Sequence, residues 1–404
     1  MKRICFLVDS IFSFGGVQCV TAVIAKALSA RYDVTIVTFD DASQKDTSMY
    51  GLADAGIDYR FFAYPSVGWL HTKLCKAYSA FYRYARPQWQ WASDLYARSS
   101  FPRPLRRALT SELASGRYDV IVGVHAPLAA RLATLKPRLQ GTRCIGWIHN
   151  SFEALFAPTS LYIGPQLKQH YLYQLRKLDH NIVLSHFDAQ LYAKNMTGLQ
   201  PTVIYNPLTL KPGSPSQGTS KRFLAVGRLS HLHKGFDLLI EAFHIFSIKD
   251  QEWVLDIVGE GPEEAMLRKI ITGYGLEQRV FIHPFTNRIQ DYYSQAQVYV
   301  LSSRWEGFGL VLVEAMAHGL PVVSSDLPTS REIMGDKALY FDVGNVNQLA
   351  QQLWEATRID WKAKSAESME TSRRFALNAI ISQWECLTQV SEVQMPNCSH
   401  LPQG

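Results

Sequence analysis

Residues 298–324 read VYVLSSRWEGFGLVLVEAMAHGLPVVS. The run 298–301 is apolar and β-branched or aromatic, the composition of a strand covered on both faces. A polar loop carrying Gly307 and Gly309 follows, and from Gly309 the apolar residues recur at helical spacing through 318. Residues 321–324 return to a strand pattern. Strand, loop, helix and strand in this order make a βα unit. That reading decides the fold, because the same alternation continues to both sides.

Towards the N-terminus, strands are expected at 222–226, 254–258 and 280–282, with helices at 236–248, 263–274 and 288–295. A first set of strands falls at 4–8, 34–39, 120–124, 144–148 and 181–184, with a helix over 17–30 after the first. A short strand at 203–204 closes this set. Residues 206–220 are dominated by Pro, Gly, Ser and Thr and read as a linker. The expected fold is therefore α/β, with two doubly wound Rossmann-like domains over 1–205 and 221–375 facing each other across a cleft. A last helical stretch is expected at about 364–390, and a C-terminal helix over 376–392 is expected to pack back on the N-terminal domain. Residues 393–404 read as a tail.

Composition sets outer limits. With 404 residues, 47% of them hydrophobic, the chain has ample material for two cores and is neither disordered nor a small disulfide scaffold. No stretch approaches the ~18 uninterrupted apolar residues that span a bilayer. The start, MKRICFLVDSIFSFGG, resembles a signal peptide, but Asp9 interrupts its apolar run and no small-residue cleavage site follows. Cys5, Cys19, Cys75, Cys144, Cys386 and Cys398 include no C-x-x-C pair, which argues against zinc and fits a reduced, cytoplasmic protein.

The net charge of +6 is unevenly spread. Between 65 and 111, eight basic residues (Lys73, Lys76, Arg83, Arg86, Arg98, Arg103, Arg106, Arg107) face the single acid Asp94. Trp69, Tyr78, Phe81, Tyr82, Tyr84, Trp89, Trp91, Tyr96 and Phe101 are interleaved with them. Tyr and Trp mixed with Lys and Arg suit an anionic membrane surface. Equally, the window is a helical insertion whose aromatics pack on its own domain and whose bases are solvated. Both readings stand at this point. Nucleic acid is not expected as a partner, since no recognition motif accompanies the charge.

Two constellations carry chemistry. The unpaired amides at the helix start near Gly309 form a ready phosphate site, and Gly307 and Gly309 allow close backbone approach. Glu306 in the loop and Glu314 in the helix offer acceptor carboxylates for hydroxyl groups, the alternative being a turn residue and a solvated helix residue. Arg228, after the first strand of the second domain, and Lys234, before the next helix, are both expected at the carboxyl edge of the sheet. Two fixed cations there suit a diphosphate, although an Arg and a Lys in a loop are commonly just solvated.

Gly-Arg-Leu-x4-Lys-Gly at 227–235, Val-Gly-x-Gly-Pro at 258–262 and Glu-x7-Glu at 306–314 occur in order. Together they resemble the donor half of glycosyltransferase family 4, retaining enzymes of GT-B architecture. The turn at 15–20, Gly-Gly-Val-Gln-Cys-Val, is similar to the glycine turn opening that family's N-terminal domain. The resemblance is good over 221–345, looser over 1–60 and 144–205, and absent over 61–118.

The resemblance implies a nucleotide-sugar donor held by 221–375, and a glycan or lipid-linked glycan acceptor on the N-terminal side. Arg228 and Lys234 neutralise the departing diphosphate. Amides near Phe308, Gly309 and Leu310 hold sugar hydroxyls and a phosphate oxygen. Glu306 contacts the sugar, Glu314 the ribose, and Gly16 permits close approach. His149, ending the strand at 144–148, matches the family histidine near the sugar's 6-position. UDP is implied only as the family's commonest donor base. Two departures stand out: Phe281-Ile-His283-Pro284 replaces Phe-x-Gly, which leaves the base contacts unassigned, and Leu301-Ser302 replaces Pro-Ser.

No two aspartates are separated by one residue, so the metal-holding Asp-x-Asp of other sugar transferases is missing. Fixed cations and helix amides do the same electrostatic work, and no metal or other cofactor is expected. The expected activity is retaining sugar transfer to an acceptor hydroxyl in cell-surface polysaccharide synthesis, on the inner face of the plasma membrane. A nucleotide-sugar 2-epimerase on the same scaffold, or a degenerate glycan- or nucleotide-binding protein, are the competing readings. A dinucleotide oxidoreductase is disfavoured, because no strand leads into G-x-G-x-x-G.

Overall fold

The computed structural model describes residues 1–389 except Arg86, Thr159, Leu161 and Pro212. The expectations for the tail, for Cys398, for Arg86 and for the helix beyond 389 lie outside the described residues. The chain divides into two compact units, one formed by Met1–Tyr205 with Asn378–Gly404, the other by Asn206–Leu377.

The first unit is built on seven strands: β1 (Arg3–Val8), β2 (Asp33–Thr38), β3 (Asp58–Phe61), β4 (Val120–Val124), β5 (Arg143–Trp147), β6 (His180–Val183) and β7 (Thr202–Val203). They lie in the order β3-β2-β1-β4-β5-β6-β7, and every pairing is parallel. Ile4 sits between Val34 and Val120, and the centre of the sheet is buried on both faces. The order reverses between β1 and β4, so the loops that follow these strands diverge and leave a crevice at the carboxyl edge.

The second unit repeats the plan with β8 (Arg222–Val226), β9 (Val254–Val258), β10 (Val280–His283), β11 (Val298–Leu301), β12 (Val322–Ser325) and β13 (Leu339–Phe341). Their order is β10-β9-β8-β11-β12-β13, again wholly parallel. Phe223, Phe243, Phe246 and Trp253 form an aromatic cluster in its core, with the Phe223 and Trp253 rings 4.5 Å apart. Here the reversal lies between β8 and β11. This topology is what brings the loop with Arg228 and Lys234 beside the loop with Glu306.

Three differences from the sequence expectations have local causes. β3, DYRF, carries little apolar signal, and β13, LYF, is only three residues long. The stretch at 364–390 is two helices, Trp361–Ser372 and Leu377–Gln389, separated by a 3-10 turn, Arg373–Phe375. No Gly or Pro marks that break; the buried Phe375 ring anchors it. Residues 206–220 do not run free of the second unit. Leu208 N–H donates to Phe375 O, Ser216 N–H to His318 O, and Ser216 Oγ–H to Ala296 O.

The basic and aromatic window forms three helices, Trp69–Ala85, Gln90–Ser100 and Arg103–Ser115. Its aromatics divide between a packed set and an exposed set. Tyr82, Tyr96 and Phe101 are buried, with Tyr82 and Tyr96 packed at 4.5 Å and His170 edge-on to Tyr96. Trp69, Phe81, Tyr84, Trp89 and Trp91 are exposed, and the last two indoles stack face to face at 5.8 Å. The C-terminal helix packs on the first unit, where Trp384 meets Trp147 and Phe6 at 4.7 and 6.0 Å.

Candidate functional site

The loop after β8 runs through Arg228 into a one-turn helix, His231–Lys234, closed by Gly235 in the left-handed region at φ 64°. A Cβ on Gly235 would lie 2.2 Å from Ser302 O, so glycine is needed for this loop to meet the one after β11. Ser302 Oγ–H donates to Lys234 O at 2.8 Å, and Arg304 N–H to His233 O at 2.8 Å, stitching the two loops together. Arg304 also grips Asp237 with both terminal nitrogens, at 3.1 and 2.9 Å.

The third motif explains itself as packing. A Cβ on Gly259 would lie 1.9 Å from Gly227 O, and one on Gly261 would lie 2.4 Å from Leu229 O. Backbone therefore lies directly on backbone, held by Gly227 N–H to Val258 O and Leu229 N–H to Glu260 O. Gly259 and Gly261 thereby position the Arg228 loop.

On this frame, Lys234 Nζ donates to Glu306 Oε1 at 2.6 Å and Ser303 Oγ–H to the same oxygen at 2.5 Å. Burial drives the Glu306 carboxyl upward, but Lys234, His233 and these hydrogen bonds outweigh it and hold the group below its ordinary value. Three residues on, Gly309 adopts φ 86° and starts the helix Leu310–Ala317, with no side chain capping its first amides. Phe308 turns its buried ring to Phe375 at 5.8 Å, leaving its backbone as the part that faces the loop. Arg228 is exposed and, among the described residues, forms no ion pair.

Glu314 sits in the second turn of that helix. Its Oε2 accepts from Tyr293 Oη at 2.9 Å and its Oε1 from Thr209 Oγ1 at 3.2 Å. Burial raises its carboxyl above the ordinary value despite those two bonds. His318 fixes the end of the same helix: Gly213 N–H donates to its Nε2, Nδ1–H is directed at Glu314 O, and its ring stacks on Tyr293 at 5.1 Å.

In the first unit, Gly16 begins the helix Gly16–Ser29 after the loop 10–15. Asp40 gathers that loop, accepting from Ile11 N–H, Phe12 N–H and Thr38 Oγ1. Tyr50, itself at φ 54°, donates to Ser13 O and accepts from Gly15 N–H. His149, just past β5, is buried beside Trp147 at 4.2 Å and His125 at 5.5 Å. Burial first, then the neighbouring His125, holds its imidazole far below the ordinary value, so it is neutral. Its Nε2 is buried with no hydrogen-bond partner among the described residues. Such an atom costs about 1–3 kcal/mol until a polar group of a ligand reaches it.

Sequence reasoning missed the residues that set this geometry. His233 stacks on Trp305 at 5.0 Å. Asp237, Tyr293, Thr209, Asp40 and Tyr50 lie far along the chain from the groups they hold. His125, at φ 73° and ending β4, was the one such position with a readable signal, since it closes an apolar strand directly before a helix. His283, the departure noted above, is bound at 2.7 Å to Asp256, which also pairs with Arg222 at 2.8 Å across three adjacent strands.

Comparison with known proteins finds two family profiles that meet end to end. The profile described as Glycosyltransferase Family 4 matches 14–211, and that described as Glycosyl transferases group 1 matches 209–374. An uncharacterized glycosyltransferase of Haemophilus influenzae is 25% identical over 402 residues, covering 95% of this chain and 99% of that protein. The amylovoran biosynthesis glycosyltransferase AmsD of Erwinia amylovora is 35% identical over 133 residues, 33% of this chain and 37% of its own length. Among solved structures, Anabaena HepE in complex with UDP and glucose superposes with a TM-score of 0.73 at 21% identity, covering 96% of this chain and all of that one.

Proposed function

The chain belongs to glycosyltransferase family 4, and from that premise we propose that it transfers a sugar from a UDP-sugar to a hydroxyl of a glycan or lipid-linked glycan, with retention, in cell-surface polysaccharide synthesis. The observation that carries this is the Lys234–Glu306 pair set beside an uncapped helix start at Gly309, with Arg228 exposed on the adjoining loop. Cation, amides and carboxylate there suit a diphosphate joined to a sugar. UDP is favoured by the complex solved for HepE, and polysaccharide synthesis by the name of AmsD.

In this reading the bond from the anomeric carbon to the phosphate oxygen breaks as the acceptor oxygen bonds the same face. The acceptor proton passes to a departing phosphate oxygen. Lys234, Arg228 and the Leu310-end amides stabilise the charge that develops on the diphosphate. Glu306 orients the sugar, Glu314 takes the ribose hydroxyls, and neutral His149 offers Nε2 to a sugar hydroxyl. No metal is required.

The exposed aromatics of the insertion, together with its exposed bases Lys73, Lys76, Arg98, Arg103 and Arg107, support docking on an anionic lipid surface, where a lipid-linked acceptor resides. Among the described residues no helix is long and apolar enough to cross a membrane.

The test is turnover of a panel of UDP-sugars, with and without EDTA, by the native chain and by Arg228→Ala and Lys234→Ala. Turnover that survives EDTA and falls in both folded variants is expected. Metal-restored activity, or variants as active as the native chain, would contradict the proposal.

A further inference from the structure

The insertion helices do not close flush against the body of the first unit. Between them lies a cavity of about 210 Å³, whose walls include Arg83 of Trp69–Ala85, Tyr96, Arg131 of the helix Ala126–Leu135, and Tyr171. Arg131 is held in place by aromatic rings. Its guanidinium lies 5.8 Å from the Tyr64 ring and 5.6 Å from that of Phe101, and Nη1–H donates to Tyr64 Oη at 3.2 Å.

Apart from the Arg131–Tyr64 bond, the charged and phenolic donors of this wall keep hydrogen-bonding capacity in reserve. Among the described residues neither Arg83 nor Arg131 forms an ion pair, and the Tyr171 hydroxyl makes no hydrogen bond. The hydroxyls of Ser100 and Thr134, also in the wall, donate to Tyr96 O and Arg131 O and are not available. Arg98, Arg103 and Arg138 each lie close enough to Arg106 to repel it, adding to the positive field around the insertion. Asp9, which follows β1 at the carboxyl edge of the sheet where doubly wound folds bind ligands, lies outside the wall but close enough to act on Arg131, Tyr64 and Tyr171. Two guanidinium groups and a phenol around a void, with no carboxylate in its wall, select a dianion. A planar guanidinium fork matches the oxygens of a phosphate in bidentate fashion.

We propose that this cavity is an anion subsite that receives a phosphate group carried by the acceptor. The proposal rests on the sugar-transfer reading above and names the chemistry of that reading's acceptor. The phosphate belongs either to a lipid diphosphate or to a phosphorylated sugar.

The test uses the full chain with Arg228→Ala and Lys234→Ala, which removes the donor-side cations, and titrates inorganic pyrophosphate by calorimetry at low and high salt. Saturable binding is expected, weakened at least tenfold by Arg83→Gln and by Arg131→Gln. Arg83 is exposed, so its variant should melt with the parent, which separates lost binding from lost folding. Absence of binding in this background, or binding indifferent to both arginines, overturns the subsite while leaving the donor grip untouched. Competition by a short polyprenyl diphosphate or by glucose 1-phosphate then identifies the source. Displacement by either supports the site, and displacement by neither overturns it.

Discussion

Lys234 Nζ and Glu306 Oε1 stand 2.6 Å apart, with only 12% and 8% of their side chains exposed. They join two loops that leave the sheet at β8 and β11, so the pair holds the site together before any ligand enters. A buried pair tolerates joint replacement better than loss of one member. Lys234→Ala should therefore cost about 3 kcal/mol or more in urea unfolding, while Lys234→Met combined with Glu306→Gln should recover much of that loss. Additive losses in the double variant would show that the two groups do not depend on each other.

The two carboxylates should respond to pH with opposite signs. Glu306 is held below its ordinary value of 4.5, so its contribution is complete above 4.5 and is lost as pH falls through the lower folded value. Glu314 is raised, so its contribution is complete below 4.5 and is lost as pH rises through the folded value. At pH 7, Glu306→Gln should destabilise and Glu314→Gln should be neutral or stabilising. Equal destabilisation by both, measured by chemical denaturation, would contradict this.

Gly259→Ala places a methyl group 1.9 Å from Gly227 O. Backbone must move to relieve it, so a loss of about 2 kcal/mol or more is expected, together with weaker nucleotide binding as the Arg228 loop shifts. Gly273, where an added methyl group would meet nothing within 4 Å, is the control: Gly273→Ala should leave both unchanged.

Most of the fold is legible in the sequence because buried parallel strands are continuous apolar runs, as in β1, β4, β8 and β11. The motifs at 227–235, 258–262 and 306–314 are legible for a physical reason. Glycines at 235 and 259 have no steric substitute, and Lys234 and Glu306 must be charged to pair. What stays hidden is carried by distance in the chain: Thr209 and Tyr293 converge on Glu314 only after the sheet forms, and Asp40 reaches the loop 10–15 from the next strand. The arginine-lined cavity is hidden likewise, since Arg83 and Arg131 share no local pattern.

His149 has a buried, unpartnered Nε2, so replacing it removes a penalty as well as a contact. His149→Leu should change stability by no more than about 1 kcal/mol while sharply slowing sugar transfer. Because the native imidazole is neutral, transfer rates between about pH 6 and 8 should show no inflection from this residue. An inflection abolished by His149→Leu would contradict a permanently neutral ring.

The most direct measurement is calorimetric binding of UDP to the native chain and to the folded variant carrying both Arg228→Ala and Lys234→Ala. Each charge-assisted contact to a phosphate is worth about 1.5–3 kcal/mol, so the predicted result is a loss of affinity of at least about 100-fold. Equal affinity in the two proteins would contradict a diphosphate grip by these residues.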